Sequence, residues 1–215
     1  MKEYASIPVV AHNDEVLGKS CIAFKKEDGS NLRFLFNSKT GWSKFGTRHR
    51  LFDKSDLEYG EAIPLFLNKY ASDIENTIKK EKEFRSIREL ICYCEFFGPH
   101  SFAGRHDPKL LGVPENKPYD LVLFDVNLHK KGLLEPRNFL NIFGNLDIAK
   151  VIFEGILDES FIQDVKDNKY PVVEGVVCKG CEGKAPHGIW MRKIKTDAYR
   201  AKLKSIFSID WEKYC

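Results

Sequence analysis

No apolar run in this 215-residue chain reaches the ~20 residues of a membrane-spanning helix. Met1-Lys2-Glu3-Tyr4 lacks the apolar core of a signal peptide. A cytoplasmic protein without a membrane partner is therefore expected. Net charge is scarce as well: 34 Lys and Arg face 31 Asp and Glu, leaving +3. Bulk charge does not demand nucleic acid as a partner, although it leaves room for a local basic groove. Internal repeats, low-complexity stretches and anything resembling an interdomain linker are missing, so residues 1–215 are expected to form one domain. What is present, 43% hydrophobic and 30% charged, is the composition of a soluble globular protein.

The cysteines are Cys21, Cys92, Cys94, Cys178, Cys181 and Cys215. In a reducing compartment they are expected mainly as free thiols. Cys178-x-x-Cys181 with Cys92-x-Cys94 can also be read as a four-thiolate zinc site. Against that, Cys92 and Cys94 fall in an apolar strand pattern, where buried cysteine acts as a small hydrophobe. A CxC spacing also suits a zinc ribbon less well than CxxC.

Hydrophobic patterning predicts strands at Cys21 to Phe24 and Leu32 to Phe36 around a turn at Asp28-Gly29-Ser30, and further strands over Arg88 to Phe97, Asp120 to Val126, Val172 to Cys178 and Ile189 to Ile194. Helical spacing predicts helices from about Ile63 to Phe84, Asn138 to Gly144, Asp158 to Asp167 and Asp197 to Ile206. Gly41 to Phe52, the proline-containing Asp107 to Tyr119 and Gly180 to Gly188 read as connections. Strand runs broken by isolated helices indicate an α+β fold of mainly antiparallel sheets.

Five segments place charges on or beside apolar strand patterns. Lys26-Glu27-Asp28-Gly29 offers a lysine that can serve as a covalent nucleophile if its amine is neutral and an electrophile is held near it. Glu95 ends Tyr93-Cys94-Glu95-Phe96-Phe97-Gly98, and Asp125 ends Leu121-Val122-Leu123-Phe124-Asp125. Glu174 opens Glu174-Gly175-Val176-Val177-Cys178-Lys179. Lys193 and Lys195 stand two apart and hence on one strand face. Any one of these has an ordinary reading as a hairpin turn or strand-end ion pair. Charges inside apolar strands are costly unless paired or metal-bound, so the set argues for a charged pocket lined by strands.

In this order the segments resemble the motifs of the covalent nucleotidyltransferases, which comprise ATP-dependent DNA ligases, RNA ligases and mRNA capping enzymes. KEDG is similar to their motif I, CEFFG to motif III, LVLFDV to motif IIIa, EGVVCK to motif IV and RKIK to motif V, over Lys26 to Lys195. The resemblance implies an ATP-grasp-like nucleotidyltransferase domain. It implies that Lys26 attacks the α-phosphate of ATP and becomes lysyl-AMP, with Lys193 and Lys195 holding that phosphate and, with a metal, lowering the pKa of Lys26. Glu174 would bind Mg²⁺ or Mn²⁺, Glu95 would accept from a ribose hydroxyl, and Phe124 would stack on adenine. Asp28 would support Lys26 or a metal-bound water, and Gly29 would allow the turn and close approach of the nucleotide.

Motif Ia expects a basic residue; Ser38-Lys39-Thr40-Gly41 and Phe45-Gly46-Thr47-Arg48 both offer one, with Arg48 favoured. Lys25 departs from the acidic residue or threonine usual before the nucleophile. DNA ligases and capping enzymes usually read KxDGxR, whereas Gly29-Ser30-Asn31 is similar to phage-type RNA ligases, so Asn31 would contact the end being joined or the metal shell. Twenty residues follow Lys195, too few for an OB-fold barrel. The expectation is an RNA ligase joining a 3′-hydroxyl to a 5′-phosphate, with RNA phosphates met by Lys39, Lys44, Arg48, Arg50 and the His100 to His106 loop, and with an accessory protein as a possible RNA-binding partner. The alternatives are a DNA ligase core, a non-catalytic nucleotide- or RNA-binding relative, and a zinc-stabilised interaction module. Retention of Lys26, Glu174, Lys193 and Lys195 argues against the non-catalytic relative.

Overall fold

The computed structural model describes residues 1–84, 86–98, 106, 119–182 and 188–214. In chain order the strands are β1 (Ser20–Lys26), β2 (Ser30–Asn37), β3 (Gly41–Thr47), β4 (Leu51–Phe52), β5 (Glu89–Phe97), β6 (Asp120–Leu128), β7 (Gly132–Leu133), β8 (Val151–Ile156), β9 (Gly175–Cys181) and β10 (Ile189–Lys195). They form two sheets, β10-β9-β1-β8 and β4-β3-β2-β5-β6-β7, in which every paired neighbour is antiparallel. The α+β class expected from the pattern is thus observed.

The two strands flanking Asp28-Gly29-Ser30 exist, but they do not pair with each other. β1 lies between β9 and β8, and β2 lies between β3 and β5. The turn is a crossing from one sheet to the other. Gly29 is required there by contact, since a Cβ would sit 2.4 Å from the Phe96 carbonyl oxygen on β5. Gly41 to Phe52, expected as a connection, contains β3 and β4. Ser43 bulges where the β2–β3 register shifts, which breaks the alternation on which a sequence reading depends.

The long helical stretch is α1 (Ala62–Phe66), a π-helical turn at Leu67–Ala71 and α2 (Ser72–Lys80), with a 3₁₀ turn at Lys82–Phe84. It packs Ile63, Phe66, Tyr70 and Ile74 against Leu32, Phe34, Cys92, Cys94 and Phe96 of the six-stranded sheet. Phe34 and Phe66 stack at 4.0 Å. α3 (Pro136–Phe143), capped by the Glu135 side chain, closes the same core with Phe139 and Phe143. α4 (Glu159–Lys166), capped by Asp158, covers the four-stranded sheet through Phe161, Ile162 and Val165. α5 (Asp197–Phe207), capped by Thr196, follows β10 directly.

The zinc reading is not supported by the placement of the cysteines. Cys92 and Cys94 lie in the core of the six-stranded sheet, and Cys178 and Cys21 lie in the other core. Among the described residues no group of three or more His, Cys, Asp or Glu side chains is arranged to hold a metal by itself. Cys215 and the loop at 107–118 lie outside the described residues. No described helix is long and apolar enough to cross a membrane.

Candidate active site

Strand register builds the centre of the site. Gly175 opens β9 and faces Lys26 on β1 from one side and Lys195 on β10 from the other. The chain reaches this point with Gly175 at φ +150°, and a Cβ there would lie 2.0 Å from the Ile194 carbonyl oxygen. Glu174, the residue before it, is therefore delivered between two lysines. Lys26 Nζ donates to Glu174 Oε2 at 2.8 Å and Lys195 Nζ donates to Glu174 Oε1 at 2.7 Å. Glu174 is 3% exposed, a burial tolerable for a carboxylate only because both oxygens accept from cations.

A cavity of about 530 Å³ opens over this trio, within the usual range for small-molecule sites. Its lining combines the charged Lys26, Asp28, Glu95, Glu174, Lys193 and Lys195 with the apolar Phe24, Val122, Phe124, Ala149 and Val177. Phe124 is the extra residue of a bulge, because Tyr93 pairs with Asp125 while Cys94 pairs with Leu123. The bulge places its ring at the cavity, supported edge-on by Tyr4 at 5.1 Å.

No protein-family model matches the sequence, and no curated protein matches it. Solved structures do match. The RNA ligase of Naegleria gruberi with pyrophosphate is similar at a TM-score of 0.65 and 16% identity, over 95% of this chain and 58% of that one. A mutant of that enzyme with ATP and Mn gives 0.58 at 16% identity, over 86% and 52%. A putative ATP-dependent DNA ligase from Aquifex aeolicus gives 0.59 at 16% identity, over 100% and 57%. The chain has the fold of the ligase nucleotidyltransferases. It spans between 52% and 58% of the length of these structures.

Within the ligase fold, ten of the eleven candidate site residues line one cavity: Lys26, Asp28, Gly29, Asn31, Arg48, Glu95, Phe124, Glu174, Lys193 and Lys195. Lys39 does not. It lies in the turn between β2 and β3, at the opposite end of β2 from Asn31. Arg50 is engaged with Asp56 and Glu58, and Lys44 lines a separate cleft. Of the His100 to His106 loop only His106 is described, 5.2 Å from the Phe207 ring, and the rest lies outside the described residues. Lys25 pairs with Glu27 at 2.6 Å.

Without metal or nucleotide, Lys26 is held in its charged form. Burial alone lowers its pKa, but Glu174, Glu95 and Asp28 outweigh burial and push it up to about 12. Glu174 is also held by Lys195, so the carboxylate that dominates this shift is shared between two cations. Glu95 is pushed up to about 7, first by burial and then by Glu174 and Asp28, against the pull of Lys26 and of the Gly29 N–H that donates to it.

Several residues beyond the motifs build the site. Tyr199 on α5 donates to Asp28 at 2.8 Å and lies 4.8 Å from Lys195 Nζ, so the helix after β10 fixes the aspartate of the KxDG turn. Arg33 donates to the Met1 and Arg48 carbonyls, which ties the N-terminal segment and the Arg48 turn to β2. Lys179 on β9 donates to Asp125 on β6 at 2.8 Å, and Tyr4 donates to the same carboxylate, a buried clamp between the two sheets. Asp125 and Lys179 were legible as charges in apolar strands, though not as partners. Tyr4, Arg33 and Tyr199 gave no sequence signal.

Proposed function

We propose that the chain is the adenylyltransferase domain of an ATP-dependent RNA ligase, formed as one domain over the sequence, with Lys26 as the residue that carries AMP. The observation that supports this most is the buried Glu174 carboxylate shared by Lys26 and Lys195 in the lining of a cavity that also carries Phe24 and Phe124. In the reaction the neutral Lys26 amine attacks the α-phosphorus of ATP. A P–N bond forms, the bond to the pyrophosphate oxygen breaks, and the amine loses its second proton. Held by Glu174, the lysine is an ammonium, so it must shed a proton and loosen that contact before it attacks. Lys193 and Lys195 stabilise charge on the α-phosphate. Phe124 stacks on adenine, Glu95 accepts from a ribose hydroxyl, Asp28 holds the turn through Tyr199, and Arg48 meets the ribose or a substrate phosphate.

Glu174 supplies the hard oxygen donor that Mg²⁺ or Mn²⁺ prefers, and a single carboxylate fits a cation carried largely by phosphate oxygens and water. Bound there, the ion would supply charge neutralisation at the triphosphate. AMP would then pass to a 5′-phosphate, and a 3′-hydroxyl would displace it to seal the strand. The choice of RNA ends rests on Gly29-Ser30-Asn31, whose Asn31 Oδ1 is buried without a hydrogen-bond partner at the cavity wall. Likeness to the Aquifex DNA ligase supports a second reading, a DNA ligase core.

Incubation with α-labelled ATP, GTP or NAD and Mg²⁺, followed by a denaturing gel, tests the proposal. Label should come from ATP alone and vanish in Lys26→Ala; absence of label from ATP contradicts ligase chemistry. A nick with a ribonucleotide 3′-end should be joined in preference to an all-DNA nick. Equal joining favours the DNA reading.

A further inference from the structure

A second cleft, of about 710 Å³, opens at the other end of the face that β2 and β5 turn toward the active cavity. Asn31 and Glu95 mark the active end. Leu35 and Ile91, four residues along the same strands and roughly 13 Å away at strand rise, mark the far end. The N-terminal segment runs between the two, with Tyr4 on the active cavity and Met1 and Lys2 on the cleft.

Two independent features point to a ligand in this cleft. Lys2, Lys44, His129 and Lys130 surround it, beside the Glu89 carboxylate, which already accepts from Asn37 Nδ2 at 2.7 Å and lies 3.8 Å from His129. At its foot stands Asn127, 5% exposed, whose Nδ2 donor is buried with no hydrogen-bond partner. A buried donor left unpaired is unfavourable, and an acceptor arriving from the cleft would relieve that penalty. Ile91, Leu133 and Met191 give the cleft an apolar floor suited to a base or sugar.

We infer that this cleft binds one nucleotide of a nucleic-acid strand, its phosphate held by Asn127 and the surrounding lysines. The choice of nucleic acid over another oxyanion rests on the ligase reading; the cavity, the charge and the unpaired donor do not.

The test is anisotropy of a fluorescent single-stranded RNA 12-mer titrated with the full chain, without ATP, over a salt series. Two variants are compared: Asn127→Asp, and Lys2→Ala with Lys130→Asn, where asparagine keeps the left-handed φ of 64° at position 130. Losing two phosphate contacts should weaken RNA binding roughly tenfold and flatten the log–log salt slope by about 1.4. Asn127→Asp should weaken it comparably. Melting temperature and labelling of Lys26 by ATP should stay at the unmodified level in the lysine pair. Unchanged RNA affinity in the lysine pair overturns the inference, as does displacement of the RNA by inorganic phosphate at matched charge. Labelling without cleft dependence would refute the cleft alone, and cleft-dependent binding without labelling would refute the ligase reading alone.

Discussion

With a pKa of about 12, Lys26 in the ligand-free pocket carries a neutral amine in only roughly one molecule in 10⁵ at neutral pH. Burial works toward the neutral form, and the three carboxylates win. The rate of single-turnover adenylylation should therefore rise with pH between 7 and 9; a flat profile would mean that some other step limits the reaction. Glu95 carries a second pH signature. Its folded pKa of about 7 lies above the unfolded value of 4.5, so its contribution to stability is present below pH 4.5 and is lost as pH rises through 7. Urea unfolding should show the unmodified protein losing on the order of 2 kcal/mol between pH 4.5 and 8 relative to Glu95→Gln, allowing for screening at a half-buried group.

At the scale of elements, the crossing between β1 and β2 decides the geometry of the site. Gly29→Ala would place a methyl 2.4 Å from the Phe96 carbonyl oxygen. It should cost about 1–3 kcal/mol in thermal unfolding and lower adenylylation by up to ~100-fold, because the turn that follows Lys26 must move. The sequence made the strands on either side of this crossing legible through their apolar runs, and the order of charged residues made the site legible. Pairing was not legible. Asp-Gly between two apolar runs reads locally as a hairpin, yet the partners of β1 are β8 and β9, more than 100 residues downstream. β3 was hidden by its bulge at Ser43, and β8 by the exposure of Val151 and Ile156.

For the whole molecule, the two sheets are joined through buried polar groups as well as apolar packing. Lys179 belongs to one sheet, Asp125 to the other, and Tyr4 to the N-terminal segment. Lys179→Met should destabilise the protein by roughly 3–5 kcal/mol in denaturant unfolding, since Asp125 would be left buried and short of its cation. Replacing Asp125 by Asn in the same chain should recover part of that loss. Neither partner could be matched to the other from sequence, because each reads only as a lone charge in an apolar strand. The same junction holds Phe124 against the cavity, so fold stability and the proposed nucleotide site share these residues. The central claim remains chemical: one lysine among 34 basic residues carries AMP. Tandem mass spectrometry of the protein after incubation with ATP and Mg²⁺ locates that adduct. The account predicts AMP on Lys26 alone; AMP on another residue, or on none, would contradict it.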